Sequence, residues 1–142
     1  CASCQIEYSI LRRGPEKDLL PYCLENNIGV LLRGPLAKGI LADKFEESTK
    51  FEDSVRKGWN QGSEHERFVR DVRTVARLRP ALKRGQSMVE LALQFTLAHP
   101  AVTCPIPGMK NPQQARSNAA AADGRLTPEQ KRVVDEVAPP PA

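Results

Sequence analysis

The stretch Ala101-Val102-Thr103-Cys104-Pro105-Ile106-Pro107-Gly108-Met109-Lys110-Asn111-Pro112-Gln113-Gln114-Ala115-Arg116-Ser117-Asn118 decides how the rest of the chain is read. A short apolar run, 101–106, hands over through a Gly-containing turn to a helix-compatible stretch from about 112 to 122. A strand joined to a helix in this way aims backbone N–H groups and a helix N-terminus at one point. Anionic ligands, typically nucleotide phosphates, bind at such points. Lys110 adds a mobile cation, and Gln114 and Asn118, four residues apart, put two amides on one helical face. The stretch reads as the site of a phosphorylated cofactor.

Working back from it, strand and helix signals alternate. Residues 2–8 read as a strand, and Arg12-Arg13-Gly14-Pro15 as a turn. Pro15 can open a helix running to about Asn27, with Leu19, Leu20, Cys23 and Leu24 as its buried stripe. Ile28-Gly29-Val30-Leu31-Leu32 is apolar without alternation, the pattern of a parallel strand covered on both faces. The irregular stretch 33–63 carries Phe45, Phe51 and Trp59 among embedded apolar residues, which predicts an ordered covering loop. A helix over 64–82 shows Phe68, Val72, Val75, Ala76 and Leu82 on one side, with Pro80 bending or ending it. Ser87 with Glu90 forms a capping-box pattern ahead of Leu91, Leu93, Phe95 and Leu97, and His99-Pro100 stops that helix. Thr127-Pro128-Glu129 caps a last helix, and residues 139–142 read as a frayed tail. Repeated strand–helix units with buried strands predict a parallel sheet flanked by helices. Three such units cannot close an eight-stranded barrel and leave open sheet edges.

Composition narrows the class. The chain has 142 residues, 40% hydrophobic and 27% charged, as in ordinary globular proteins. No apolar run approaches the roughly 18 residues of a membrane span, so neither a membrane nor a secretory route is expected. The opening residues Cys1-Ala2-Ser3-Cys4-Gln5-Ile6 read as if the chain begins inside an element, as a piece of something longer would. The net charge of +4 is modest, and the basic cluster between Arg67 and Arg84 reads as a solvated helix face rather than a nucleic-acid surface. Cys1 and Cys4 form one Cys-x-x-Cys pair without a second pair, so buried thiols are expected, with no metal site. A cytoplasmic location is the default for such cysteine usage.

Three segments in order carry a resemblance: Gln5-Ile6-Glu7-Tyr8-Ser9, Gly34-Pro35-Leu36-Ala37-Lys38-Gly39, and Ile106-Pro107-Gly108 with Gln114 and Asn118. Together they resemble the aldo-keto reductases, and most closely the bacterial branch that is also similar to the potassium-channel β-subunits. The resemblance implies a partial (β/α)8 TIM barrel: its last three βα units plus extra helices, over residues 1–138. It also implies NADP(H) as cofactor and a small carbonyl substrate, bound by the complete protein.

By that resemblance Gln5 holds the nicotinamide carboxamide. Arg33 stands where the family has a stacking aromatic; an Arg stacks poorly on a cationic nicotinamide but could reach the cofactor phosphates. Gly34, Pro35, Leu36 and Lys38 would line the pyrophosphate, with Lys44 further along the loop. Gly108, Met109, Lys110, Gln114, Ser117 and Asn118 fall on the 2′-phosphate and adenine site, although Ser117 replaces a Glu common in the family. The Asp, Tyr, Lys and His of the family's hydride-transfer chemistry match no position here, so no catalytic residue is assigned. Two other classes stay open: a non-catalytic NADPH-binding regulatory subunit of the same fold, and a stand-alone α/β module that oligomerises through its open sheet. Substrate identity and oligomeric state are not legible.

Overall fold

A computed structural model describes residues 1–142. Three strands, β1 (Ser3–Glu7), β2 (Gly29–Arg33) and β3 (Val102–Ile106), pair in parallel in the order β1-β2-β3. Helix α1 (Leu19–Glu25) connects the first two strands. The second connection holds α2 (Gly62–Leu78) and α3 (Met88–Leu97), and α4 (Pro112–Ala120) and α5 (Pro128–Val137) follow β3. The strand–helix alternation expected from the sequence is present throughout.

Local chemistry sets the boundaries. The helix predicted from Pro15 breaks into a short 3-10 turn, Gly14–Glu16, and α1 proper, which starts at Leu19. Pro21 explains the difference. With no N–H to donate, it is tolerated in a first turn but would interrupt a helix begun six residues earlier. Helix α1 ends on Asn27, in the left-handed region at φ 53°. Ile28 N–H donates to the Cys23 carbonyl at 2.8 Å and Asn27 N–H to that of Leu24 at 3.3 Å, which satisfies two terminal carbonyls. Ser87 caps α3 and Thr127 caps α5, each with a full capping box. Pro80 lies in a 3-10 turn, Arg79–Ala81, that ends α2 at Leu78.

One face of the sheet is covered by helices and the other is open. Ile6, Val30 and Leu32 point into a core shared with Leu20, Cys23, Leu91 and Phe95. On the opposite face Gln5, Leu31 and Cys104 stand in register, as do Glu7, Arg33 and Ile106. Leu31 is 36% exposed and Ile106 47%. The expectation that β2 is covered on both faces is therefore corrected: its burial alternates, because no layer packs on the second face. The same openness corrects the α1 stripe. Leu20 and Cys23 are buried, whereas Leu19 and Leu24 are exposed, since α1 packs only along the side that meets the sheet.

Further corrections concern α2, α3 and the thiols. Ala76 faces solvent, and the buried stripe of α2 is Phe68, Asp71, Val75 and Leu78. Leu97, at the end of α3, is exposed as well. Cys1 is exposed and Cys4 half-buried, so of the two only Cys4 packs against the core. Strand alternation turns Cys4 toward the helices, while Cys1 precedes β1.

The stretch 33–63 is ordered as predicted. Phe45, Phe51 and Trp59 pack with Phe68 of α2, Phe51 lying 5.2 Å from Phe68 and 5.4 Å from Trp59 between ring centroids. These edge-on pairs give the covering loop a small aromatic core of its own.

Candidate functional site

Because the strands are parallel, the segments following β1, β2 and β3 all leave from one edge of the sheet. Gln5 lies on the open face two residues from that edge, exposed. Its neighbour on the same face, Glu7, pairs with Arg33 at 3.2 Å. Arg33 is thus near Gln5, but part of its charge is already met by a carboxylate.

After β2 the chain turns sharply. Gly34 has φ +68° and Gly39 φ +96°, both in the region that disfavours side chains. Ala37 (φ 47°) and Lys38 (φ 55°) adopt left-handed conformations without being glycine. Each such residue is strained by about 1–2 kcal/mol, and such strain concentrates at ligand sites. The turn closes through Ala37 N–H to Gly34 C=O and Gly39 N–H to Leu36 C=O, both 2.9 Å. The amides of Gly34 and Leu36 donate to no other group of the chain. Pro35 is buried beneath the turn and Lys38 is exposed, its ammonium 5.9 Å from the Trp59 ring centroid. Lys44 lies beyond this turn, exposed, next to Phe45 of the aromatic cluster.

After β3, Gly108, Met109 and Lys110 are exposed and lead into α4. Asn111 caps that helix by accepting from Gln114 N–H at 2.9 Å, with Pro112 at its first position. The Gln114 side-chain oxygen accepts from Lys110 N–H at 2.7 Å. Gln114 therefore holds the loop shut and keeps its amide nitrogen unpaired for a ligand. Ser117 is exposed, and Asn118 is half-buried with its side-chain nitrogen Nδ2 buried and unpartnered. A buried donor left without an acceptor costs about 1–3 kcal/mol, which an accepting ligand would recover.

The predicted residues thus gather along one sheet edge, with Lys44 the outlying member. The sequence assigns no ion-pairing role to Glu7 or Asp71 and marks Arg12 and Arg13 only as part of a turn. Arg12 donates to Asp71 Oδ1 at 3.1 Å, tying the segment after β1 to α2. Arg13, beneath the same segment, binds Glu16 and Asp135 and donates to the Ala138 carbonyl at 2.7 Å. The signal for Asp71 was its place in the Phe68–Val75 stripe; a buried acid there requires a cation. Two concavities lie elsewhere, one along α5 and one between the segment after β1, α2 and the chain end. The edge bearing the predicted residues is an open surface, consistent with a sheet of only three strands.

The profile of the Aldo/keto reductase family matches residues 1–139. The chain belongs to the aldo/keto reductase family. It is 32% identical over 129 residues to the uncharacterised oxidoreductase YqkF of Bacillus subtilis, covering 91% of this chain and 40% of that protein. It is also 32% identical over 144 residues to a putative voltage-gated potassium channel subunit beta of Schizosaccharomyces pombe, covering 94% of this chain and 41% of that one. Among solved structures, the glycerol dehydrogenase AKR11B4 of Gluconobacter oxydans superposes with a TM-score of 0.78 and 30% identity, over 99% of this chain and 44% of its own. The chain spans about two fifths of the length of the curated relatives it matches. Its three strands and their helices form part of the family's (β/α)8 barrel, and members of the family include oxidoreductases.

Tyr8 is 1% exposed, and its hydroxyl donates to Glu16 at 2.6 Å. Burial and the Glu16 hydrogen bond push its pKa far up. A phenol held in that way keeps its proton and faces the helices, away from the open sheet edge. His99 packs edge-on to the Tyr8 ring, and its Nδ1 accepts from Ala101 N–H at 3.2 Å. Tyr8 belongs to the core, and the half-buried His99 packs beside it.

Proposed function

We propose that this chain is the cofactor-holding part of an NADP-dependent aldo-keto reductase that reduces aldehydes or ketones. The observation that carries the proposal is the unpartnered Nδ2 of Asn118, behind a loop whose Lys110 is exposed. The free amides of Gly34 and Leu36, in a strained turn on the same sheet edge, support it. These donors fit an extended, anionic ligand with an acceptor-bearing base at one end.

In this reading Gln5 orients the nicotinamide amide, whose ring supplies hydride when the cofactor is bound. Gly34, Leu36 and Lys38 meet the pyrophosphate, Pro35 stiffens their turn, and Arg33 and Lys44 add positive charge. Gly108, Met109 and Lys110 meet the 2′-phosphate, while Gln114, Ser117 and Asn118 meet the adenosine end. Neither Tyr8 nor His99 serves as the proton donor, given where they lie. The chain alone therefore turns over no substrate, and the reacting groups belong to the remainder of the barrel. We place the complete protein in the cytoplasm.

Fluorescence titration of the complete protein tests the cofactor assignment. NADPH should bind more tightly than NADH, and Lys110→Ala should weaken NADPH by roughly tenfold while sparing NADH, as loss of a charged hydrogen bond predicts. Equal affinities in the unaltered protein would remove the role of Lys110. The similarity to a potassium channel subunit beta favours one other reading, a regulatory subunit that binds NADPH without turnover. An Asp, Tyr, Lys and His set in the rest of the barrel, with measurable carbonyl reduction, would decide for the enzyme.

A further inference from the structure

Strand alternation turns Cys4 and Ile6 of β1 toward the helices and Gln5 toward the open face. Across from Cys4, on α1, lies Cys23, which is 1% exposed. The two sulfurs are 3.6 Å apart, in direct contact. A disulfide needs them at about 2.0 Å, so closure asks for a shift of only about 1.5 Å, within reach of small side-chain rotations and backbone adjustment. The Cys23 backbone is itself fixed, because its carbonyl accepts from Ile28 N–H in the cap that ends α1. Burial and the hydrogen bond with Cys4 also hold the Cys23 thiol above its ordinary pKa. Cys4 is half-buried, and Leu19, Tyr22 and Leu24 leave the outer flank of α1 open to solvent. Access from solvent is thus through Cys4, and Cys23 waits behind it.

We propose that Cys4 and Cys23 form a redox pair, converted by hydrogen peroxide into an intramolecular disulfide that locks β1 onto α1. The Cys4 thiolate attacks one peroxide oxygen and breaks the O–O bond. Hydroxide leaves and takes up a proton, and Cys4 becomes a sulfenic acid. The Cys23 sulfur then attacks the Cys4 sulfur and the sulfenic oxygen departs as water, carrying the Cys23 proton. Two thiols and one peroxide give one disulfide and two waters. Cys1 is not the partner, since it is exposed and its thiol donates to the Ser3 carbonyl at 3.0 Å. The bond closes a loop of local elements, and constraining that loop in the unfolded chain raises thermal stability.

The test uses the complete protein carrying Cys1→Ser and Cys104→Ser, which removes both exposed thiols of this chain and leaves its core untouched. Treatment with stoichiometric hydrogen peroxide should yield a monomer lighter by two hydrogens under non-reducing conditions. Peptide mapping should find the Cys4 and Cys23 peptides joined. The melting temperature should rise by several degrees and return with dithiothreitol. In a further Cys23→Ser variant, Cys4 should accumulate as a sulfenic acid trapped by dimedone. The pair is refuted if both thiols remain fully alkylatable after unfolding the peroxide-treated chain. It is equally refuted if peroxide treatment of the unaltered chain bridges Cys1 to Cys4 and leaves Cys23 free.

Discussion

Arg13 is almost fully buried, lying against the Phe95 ring and binding Glu16 and Asp135. Burial pushes the Glu16 carboxyl up, but hydrogen bonds from Arg13 and Tyr8 outweigh it and hold the acid below its ordinary value. Asp135 behaves alike, with burial opposed by Lys131 and Arg13. Stability from these two acids is present above their ordinary values of 4.5 and 3.8 and fades as pH falls below them. His99 titrates in a different window. Burial lowers its pKa from the ordinary 6.5, with Arg13 and Lys131 adding to the effect and Glu16 opposing it. The unfolded chain then binds the proton more readily than the folded one. The His99 contribution is therefore complete above pH 6.5 and is lost as pH falls through the depressed folded value. Urea unfolding at pH 7 and pH 5 should show a loss of stability in the unaltered chain and a smaller one in His99→Gln. An identical loss in both would show that other groups set the slope.

At the scale of elements, three glutamines tie the helices together. Gln130 Nε2 donates to the Ala81 carbonyl at 3.0 Å and to Gln86 Oε1 at 2.7 Å. Gln86 Nε2 donates in turn to Gln94 Oε1 at 2.9 Å, and Gln94 Nε2 to the Ala121 carbonyl at 3.3 Å. The chain of amides joins α5, the segment before α3, α3 itself and the turn after α4. Gln86→Ala removes the middle link and leaves Gln94 Oε1 and Gln130 Nε2 short of a partner. It should lower unfolding free energy by about 1–3 kcal/mol, read by urea denaturation at neutral pH. A change under about 0.5 kcal/mol, the range of ordinary surface substitutions, would show that the network is dispensable. None of this was legible beforehand. Gln130 lies far in sequence from Gln86 and Gln94, and nothing local marks a glutamine as a partner of another. The capping boxes at Ser87 and Thr127 were legible or half-legible, because each is closed by residues three apart.

At the scale of the whole molecule, the sheet is unfinished. Both edge strands, β1 and β3, have one unpaired side, and Leu31 and Ile106 stand on an uncovered face. Leu19, Tyr22 and Leu24 add an apolar flank on α1. Unpaired edges and apolar faces of this kind drive association. Size exclusion with light scattering should find the isolated 142-residue chain associated at micromolar concentration. A compact, soluble monomer would contradict the view that these surfaces need a partner. The relatives, of which the chain covers about two fifths, give the natural candidate for that partner: the rest of a barrel.

Local sequence alone carried the parallel strand–helix order, the Ser87 and Thr127 caps, the family and the segments that meet at one sheet edge. Each is encoded locally, by hydrophobic period, by Pro and Gly at fixed offsets, or by short motifs. Tertiary structure alone decided which face of β2 is covered, that Leu19 and Leu24 lie outside the core, and that Asp71 is buried against Arg12. It alone brought Cys4 against Cys23 and left Asn118 without an acceptor. Those outcomes depend on which surfaces meet across tens of residues, and on which surfaces three strands leave unmet.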